Sequence, residues 1–130
     1  MSTSRSLRIL VADDHPGTAT TFGKVLEKRG HTAEIAYDGL SALDAVLQFQ
    51  PHVALLDINM PGLDGHELTR RIRVQPGCES IVVVIVSGDG QADTVDKSLA
   101  AGADHHLTKP VDFDALWHIL DDTIRSLFGP

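Results

Sequence analysis

Apolar and polar residues alternate in blocks along this chain, and the blocks predict five strands, each followed by a helix. Four strands are predicted from short runs rich in apolar residues, one of them strongly β-branched, at residues 7–12, 32–36, 53–57 and 80–86. A short fifth strand is predicted at 104–107. The runs 7–12 and 53–57 are almost continuously apolar, which is typical of strands buried on both faces of a sheet.

Positions three and four residues apart, apolar except for Arg29, predict a helix after each strand. In chain order these faces are Phe22, Val25, Leu26 and Arg29; Leu40, Leu43, Val46 and Leu47; Leu68 and Ile72; Ala92, Val95 and Leu99; and Phe113, Leu116, Leu120, Ile124 and Leu127. Helix starts are indicated by Pro16, Asp38, Asp64 and Asp112, and helix ends by Gly30, Pro51, Pro76 and Gly102.

The regular alternation of strand and helix predicts the fold class. Parallel strands are joined by right-handed crossovers, and the crossover helices cover both faces of the sheet. We therefore expect an α/β fold with a doubly wound, five-stranded parallel sheet.

Composition limits the size and the partners of this fold. The chain has 130 residues, of which 42% are hydrophobic and 22% charged, as in a globular domain with one core. We expect a single domain over residues 1–130, with its core at about 7–127. The net charge of −7, from 11 Lys and Arg against 18 Asp and Glu, argues against nucleic acid as a direct partner, because phosphate binding needs a basic face.

The cysteine content and the apolar runs bear on location. Cys78 is the only cysteine, so an intrachain disulfide is excluded and a reducing, cytoplasmic setting is expected. The longest apolar run, 81–86, is too short to cross a bilayer, and residues 1–8 lack the apolar segment of a signal peptide. We expect no membrane association.

Polar side chains follow four of the five predicted strands. Asp13 and Asp14 follow the first strand, Asp57 ends the third, Ser87 follows the fourth, and Lys109 comes after the fifth. The carboxyl ends of parallel strands lie at one edge of the sheet, where ligands bind in folds of this class. The alternative is that these are unrelated loop residues. Because polar residues stand at the carboxyl ends of four strands, a shared functional site is favoured.

The residue types indicate phosphoryl chemistry. Three neighbouring carboxylates repel each other unless a cation joins them, and an all-oxygen cluster suits Mg²⁺. Lys109 could pair with a transferred phosphoryl group, and Asp57 could act as a carboxylate nucleophile.

With these residues in view, the chain resembles a response-regulator receiver domain over about residues 7–127. The matching residues are Asp13, Asp14, Asp57, Met60, Pro61, Gly62, Asp64, Gly65, Ser87, Gly88, Lys109 and Pro110. The resemblance implies a flavodoxin-like (βα)5 fold with strand order 2-1-3-4-5. It also implies that Asp57 accepts a phosphoryl group from a phosphohistidine on a histidine kinase or a histidine phosphotransfer domain.

The same resemblance implies a role for each site residue. Asp14, Asp57 and the backbone carbonyl of Asn59 would bind Mg²⁺ directly, and Asp13 would act mostly through water. Ser87 would turn toward the phosphoryl oxygens, and Lys109 would pair with them.

Two positions depart from the family pattern. Ser87 replaces the commoner Thr, so the hydroxyl is kept without the methyl group that restricts its rotation. His106 replaces the usual aromatic switch residue by a smaller ring that can titrate. The predicted switch pair is Ser87 and His106. The segment 102–112 resembles the receivers of hybrid histidine kinases.

We therefore expect a Mg²⁺-dependent phosphoacceptor that switches partner binding and catalyses only its own phosphorylation and dephosphorylation. One alternative is a receiver module of a hybrid kinase, acting as a phosphorelay intermediate or phosphate sink. A second is a small aspartyl-phosphate phosphatase, although Asn59 stands where such enzymes have a second acid. His15 is interpreted as a surface-loop residue, and His105 and His106 cannot chelate one ion, because neighbours on a strand point to opposite faces.

Overall fold

The computed structural model describes residues 6–88 and 90–129 of the chain. The strands are β1 (Arg8–Ala12), β2 (Thr32–Ala36), β3 (Val53–Asp57), β4 (Val82–Ser87) and β5 (His105–Thr108). The helices are α1 (Pro16–Lys28), α2 (Gly39–Phe49), α3 (Gly65–Arg73), α4 (Ala92–Ala101) and α5 (Phe113–Phe128). Asp89, within the predicted glycine-rich loop, and most of segment 1–8 lie outside the described residues.

The five strands form one sheet in the order β2-β1-β3-β4-β5, and each neighbouring pair is parallel. The predicted fold class and strand order are confirmed. β3 is central and all five of its residues are buried. Leu55 lies opposite Val11 of β1 on one side and Val84 of β4 on the other. This arrangement places the end of β3 between the ends of β1 and β4.

Alternation along the strands divides the hydrophobic core into two layers. Ile9, Val11 and Leu55 face α1 and α5 in one layer. Leu10 and Leu56 face α2 and α3 in the other, and α4 packs against α3 and β5. No residue belongs to both clusters, because successive side chains of a strand point to opposite faces.

Three aspartates begin helices as the sequence predicted. The side chain of Asp38 accepts from the amide of Ser41 at the start of α2, and Asp64 does the same for Glu67 in α3. At α5 the carboxylate of Asp112 accepts from the amide of Asp114. These bonds satisfy amides that a helix leaves without an intrahelical partner.

Three predicted helix faces are wrong in part. Leu40 and Leu47 of α2 are 61% and 45% exposed, whereas Val46 is buried as predicted, together with Ala42 and Ala45. In α5, Leu127 is 49% exposed. In α4, Leu99 is 48% exposed, whereas Ser98 is fully buried. In α2 and α4 the buried positions that the sequence did not predict are small residues, which an apolar count weighs weakly. No helix in the described part of the chain is long and apolar enough to cross a membrane.

Candidate functional site

Four strand ends bring the predicted polar side chains to one edge of the sheet. Asp13 follows β1, Asp57 is the last residue of β3, and Ser87 is the last residue of β4. All three are buried, with 4%, 4% and 2% of their surface exposed. Lys109, which follows β5, reaches across to the two acids. Asp13, Asp57 and the Lys109 ammonium group therefore lie together, and Ser87 lies at the same edge of the sheet.

Lys109 is the cation of this site. Its Nζ donates to Asp57 Oδ2 at 3.2 Å and lies 3.7 Å from Asp13 Oδ2. The amide of Lys109 also donates to the carbonyl oxygen of Ser87 at 2.7 Å, which ties the lysine to the end of β4. The Lys109–Pro110 peptide bond is cis. One ammonium group thus offsets part of the charge of two buried carboxylates.

Asp13 and Asp14 are held by the loop that enters α1. The amide of Asp13 donates to the carbonyl of Ala36 at 3.0 Å, and the amide of His15 donates to Asp13 Oδ1 at 2.9 Å. The ring Nδ1 of His15 lies 3.1 Å from both Asp13 Oδ1 and Asp14 Oδ1. Only the contact with Asp13 has the direction of a hydrogen bond.

Asp14 Oδ1 is left buried and without a hydrogen-bond partner among the described residues. Each of Asp13, Asp14, His15 and Asp57 offers a ligand atom, and these atoms all lie within 4.8 Å of one another. A buried, unsatisfied carboxylate oxygen beside two further acids is the donor set expected for a hard divalent cation. These residues fit Mg²⁺.

The loop after β3 returns closely on the end of that strand. The amide of Asn59 donates to Asp57 Oδ1 at 3.2 Å, and the amide of Gly65 donates to the Ile58 carbonyl at 2.9 Å. A Cβ on Gly65 would lie 2.6 Å from the carbonyl oxygen of Asp57, so a side chain cannot fit there. These contacts fix one Asp57 oxygen toward the loop, while Lys109 pairs with the other.

Ser87 and His106, the predicted switch pair, are in contact. Ser87 Oγ lies 3.2 Å from His106 Nε2, and the other ring nitrogen of His106 lies 2.9 Å from Ser98 Oγ. His106 is half-buried and points to the side of β5 where α4 packs, whereas His105 is exposed. Sequence reasoning missed Ser98, which has no signal in an apolar pattern. His15 lies in the exposed loop before α1, as interpreted from the sequence, with 69% of its side chain exposed.

The chain belongs to the response regulator receiver domain family, whose family model matches residues 9–121. A relative, the sporulation initiation phosphotransferase F of Bacillus subtilis (strain 168), is 37% identical over 84% of this chain and 86% of its own length. The sensor histidine kinase RcsC of Salmonella typhi is 38% identical over 85% of this chain, which spans only 11% of RcsC. Several other curated relatives are matched over 47% of their length.

Among solved structures, the receiver domain of sensor histidine kinase PA1611 from Pseudomonas aeruginosa PAO1 aligns with a TM-score of 0.83. It is 26% identical, and the alignment covers 92% of this chain and 98% of that one. That structure has a magnesium ion coordinated in its active site cleft.

These findings place the chain in two-component signalling as a receiver domain. Receiver domains of this kind bind Mg²⁺ at an acidic site and interact with histidine kinases or phosphotransfer proteins.

Proposed function

We propose that this chain is a phosphoacceptor that takes a phosphoryl group onto Asp57 and thereby changes its affinity for a partner protein. The observation that carries the proposal is the buried Asp57 carboxylate, with Lys109 at 3.2 Å from one oxygen and Asp13 and Asp14 beside it. The sporulation phosphotransferase relative and the RcsC receiver support a role in two-component or phosphorelay signalling.

In the proposed reaction an Asp57 carboxylate oxygen attacks the phosphorus of a phosphohistidine. A P–O bond forms, the P–N bond breaks, and the electron pair returns to the ring nitrogen of the donor. Lys109 then pairs with a phosphoryl oxygen instead of Asp57 Oδ2, and the Ser87 hydroxyl donates to another. In dephosphorylation, water attacks the phosphorus and forms a new P–O bond while the acyl-phosphate P–O bond breaks. This regenerates the Asp57 carboxylate and releases inorganic phosphate and a proton to solvent.

Asp14, Asp57 and the backbone carbonyl of Asn59 would hold Mg²⁺, and Asp13 would hold it through water. When bound, the ion offsets the charge of the acids and of the incoming phosphoryl group. The His15 ring offers an atom within 4.8 Å of the carboxylate oxygens of the three acids, so it lies at the edge of this site.

We further propose that the chain acts on no separate substrate, and that its catalysis is limited to its own phosphorylation and dephosphorylation. The donor is a histidine kinase or a histidine phosphotransfer domain in the cytoplasm. A receiver module that passes the phosphoryl group onward, or stores it, is the second candidate, because the RcsC match is to part of a sensor kinase.

The test is labelling with a small phosphodonor, with and without Mg²⁺, on the wild type and Asp57→Asn. We expect about one phosphoryl group per chain in the wild type, dependent on Mg²⁺, and none in Asp57→Asn. Asp93→Asn, an exposed change of the same charge on α4, is the matched control and should label normally. Label retained in Asp57→Asn would overturn the assignment of Asp57, and sustained turnover of many donor equivalents would favour a phosphatase.

A further inference from the structure

Four side chains form a chain of hydrogen bonds from the end of β4 to α3. Ser87 Oγ lies 3.2 Å from His106 Nε2, and His106 Nδ1 lies 2.9 Å from Ser98 Oγ. Ser98 Oγ also lies 2.9 Å from His66 Nε2. The four residues belong to β4, β5, α4 and α3, so the bonds connect the edge of the acidic site to two helices.

Ser98 fixes where the protons lie. It is fully buried, and its hydroxyl has one proton to donate and can accept two hydrogen bonds. Its third contact, at 3.1 Å, is the carbonyl oxygen of Thr94, which can only accept. The Ser98 proton is therefore directed to Thr94. His66 must donate through Nε2 and His106 through Nδ1.

The number of protons on the His106 ring also determines which group donates in the hydrogen bond between His106 and Ser87. A neutral imidazole has one N–H, so a proton on Nδ1 of His106 leaves a lone pair on Nε2. Ser87 is then the donor in the bond between its Oγ and His106 Nε2. Because a serine hydroxyl has a single proton, Ser87 cannot donate to His106 and to an oxygen at Asp57 at once.

The surroundings of His66 favour its neutral form. Burial lowers the pKa of His66 below its ordinary value, and this outweighs Asp64, which raises it. Positive charge on Arg70, His106 or Lys97 lowers it further. A neutral His66 with its proton on Nε2 is the donor that Ser98 requires.

We propose that Ser98 and His106 are positioning residues that keep the Ser87 hydroxyl donating its hydrogen bond to the lone pair of His106 Nε2 until a phosphoryl group occupies Asp57. Through the same residues, the release of Ser87 is relayed to His66 between α3 and α4. The proposal rests on the function proposed above, because the phosphoryl group must supply the oxygen that takes the Ser87 proton. Once Ser87 has turned away, His106 loses its bond to β4 while Ser98 still holds its other nitrogen. The His106 ring then moves with α4, to which Ser98 still binds it. The Ser98 hydroxyl transmits this movement to His66 through their hydrogen bond.

The resting arrangement is tested by NMR of ¹⁵N-labelled histidine at about pH 8, where an ordinary imidazole is neutral. We expect His106 to carry its proton on Nδ1 and His66 on Nε2. In Ser98→Ala the acceptor is lost, and the Nδ1–H form of His106 should fall. Thr123→Val is the matched control, because Thr123 is also buried and also donates to a carbonyl four residues earlier, but on α5. A proton on Nε2 of neutral His106 in the wild type would overturn the proposal.

The relay itself is tested by adding beryllofluoride with Mg²⁺ as a phosphoryl mimic. The His106 and His66 ring resonances should both shift in the wild type and in Thr123→Val. In Ser98→Ala the His106 shift should remain, and the His66 shift should fall at least about fivefold, because the connecting hydroxyl is gone.

The outcomes separate the two proposals. A His66 shift of equal size in Ser98→Ala and the wild type overturns the relay and leaves the phosphoacceptor function intact. If beryllofluoride perturbs neither Asp57 nor Lys109 in the wild type, the proposed function fails. In that case the His106 tautomer, measured without beryllofluoride, still tests the proposed hydrogen bonds of the unphosphorylated protein.

Discussion

Asp14 is the side chain that points most directly to a cation site. Its Oδ1 is buried and has no hydrogen bond among the described residues, although the neighbouring Asp13 is fully engaged by His15 and Lys109. An unsatisfied carboxylate oxygen is costly unless an ion or water completes it. We expect Asp14→Ala to weaken Mg²⁺ binding at least about tenfold, measured by calorimetric titration.

The control for this prediction must remove the same charge elsewhere. Asp93→Asn changes an exposed acid on α4, so it reports the general effect of net charge on cation binding. We expect it to leave the Mg²⁺ affinity within about twofold of the wild type. Equal affinities for Asp14→Ala and the wild type would remove Asp14 from the metal site.

Two histidines beside the start of β1 contribute to the pH dependence of the stability of the protein. His31 Nδ1 accepts from the amide of Leu7 at 3.1 Å, and His52 Nδ1 accepts from the amide of Arg8 at 2.9 Å. Burial lowers the pKa of both rings below the ordinary value, helped by Arg29 at His31 and by Arg8 at His52. Both residues are therefore neutral acceptors at the start of β1, and protonation of Nδ1 would break each bond.

The sign follows from proton uptake. Between the lowered folded pKa and the ordinary value of about 6.5, the unfolded chain binds more protons than the folded one. The stabilisation is fully present above about pH 6.5 and is lost as the pH falls toward the folded pKa values. We expect a lower free energy of unfolding in urea at pH 5.5 than at pH 7.5. The double variant His31→Asn, His52→Asn keeps an acceptor that does not titrate, so an unchanged pH slope in it would contradict this account.

At the scale of the element, the loop between β3 and α3 depends on Gly65. A Cβ there would meet the Asp57 carbonyl oxygen at 2.6 Å, which backbone atoms cannot accommodate without moving. We expect Gly65→Ala to lower the free energy of unfolding by about 1–3 kcal/mol in urea titrations and to slow labelling of Asp57.

Gly17 provides the matched control for that substitution. It lies in the first turn of α1, and a Cβ there meets nothing within 4 Å. Gly17→Ala should leave the free energy of unfolding unchanged or raise it by up to about 1 kcal/mol, because alanine favours a helix over glycine. Similar losses of unfolding free energy in both variants would show that the close approach to the Asp57 carbonyl is not what makes Gly65→Ala destabilising.

Elements differ in how well the sequence predicted them. The bounds of β2 and β3 and the three aspartate caps could be predicted, because each depends on a few neighbouring residues. The inner face of α4 could not. Ser98 is buried there because His66 and His106, from distant parts of the chain, supply its hydrogen bonds. A local apolar pattern favoured Leu99 and could not contain that information.

The functional site could also be predicted only in part. The strand ends predicted which side chains would meet, because parallel topology alone brings Asp13, Asp57, Ser87 and Lys109 to one edge. The individual pairings depend on side-chain rotations and loop paths. The contact of Lys109 with two acids and the proximity of His15 to Asp14 therefore required the structure.

At the scale of the whole molecule, α1 is the exposed helix nearest the Asp13 loop. Thr18 and Thr21 are exposed on it, while Phe22 packs partly into the core against Phe113. We expect the phosphodonor to dock over α1 and the loop after β5. Thr18→Asp or Thr21→Asp should slow phosphotransfer from the donor at least about tenfold, because an uncompensated charge would be placed in the interface.

The two readouts of this prediction separate docking from chemistry. Labelling by a small phosphodonor should be unchanged in both threonine variants, because Asp57 is intact. Gln48→Glu, an exposed change on α2, is the control for added charge and should transfer normally. Normal transfer from the protein donor in both Thr18→Asp and Thr21→Asp would place the docking surface elsewhere.

The division of the core into two layers has a consequence for the order of signalling events. α1 covers one face of the sheet, whereas the contact between α3 and α4 lies on the other. A donor over α1 and an output protein over α3 and α4 would touch opposite sides of the domain. We therefore expect co-occupancy rather than competition: the output protein can arrive before the donor has left, and the lifetimes of the two complexes set the timing of the response.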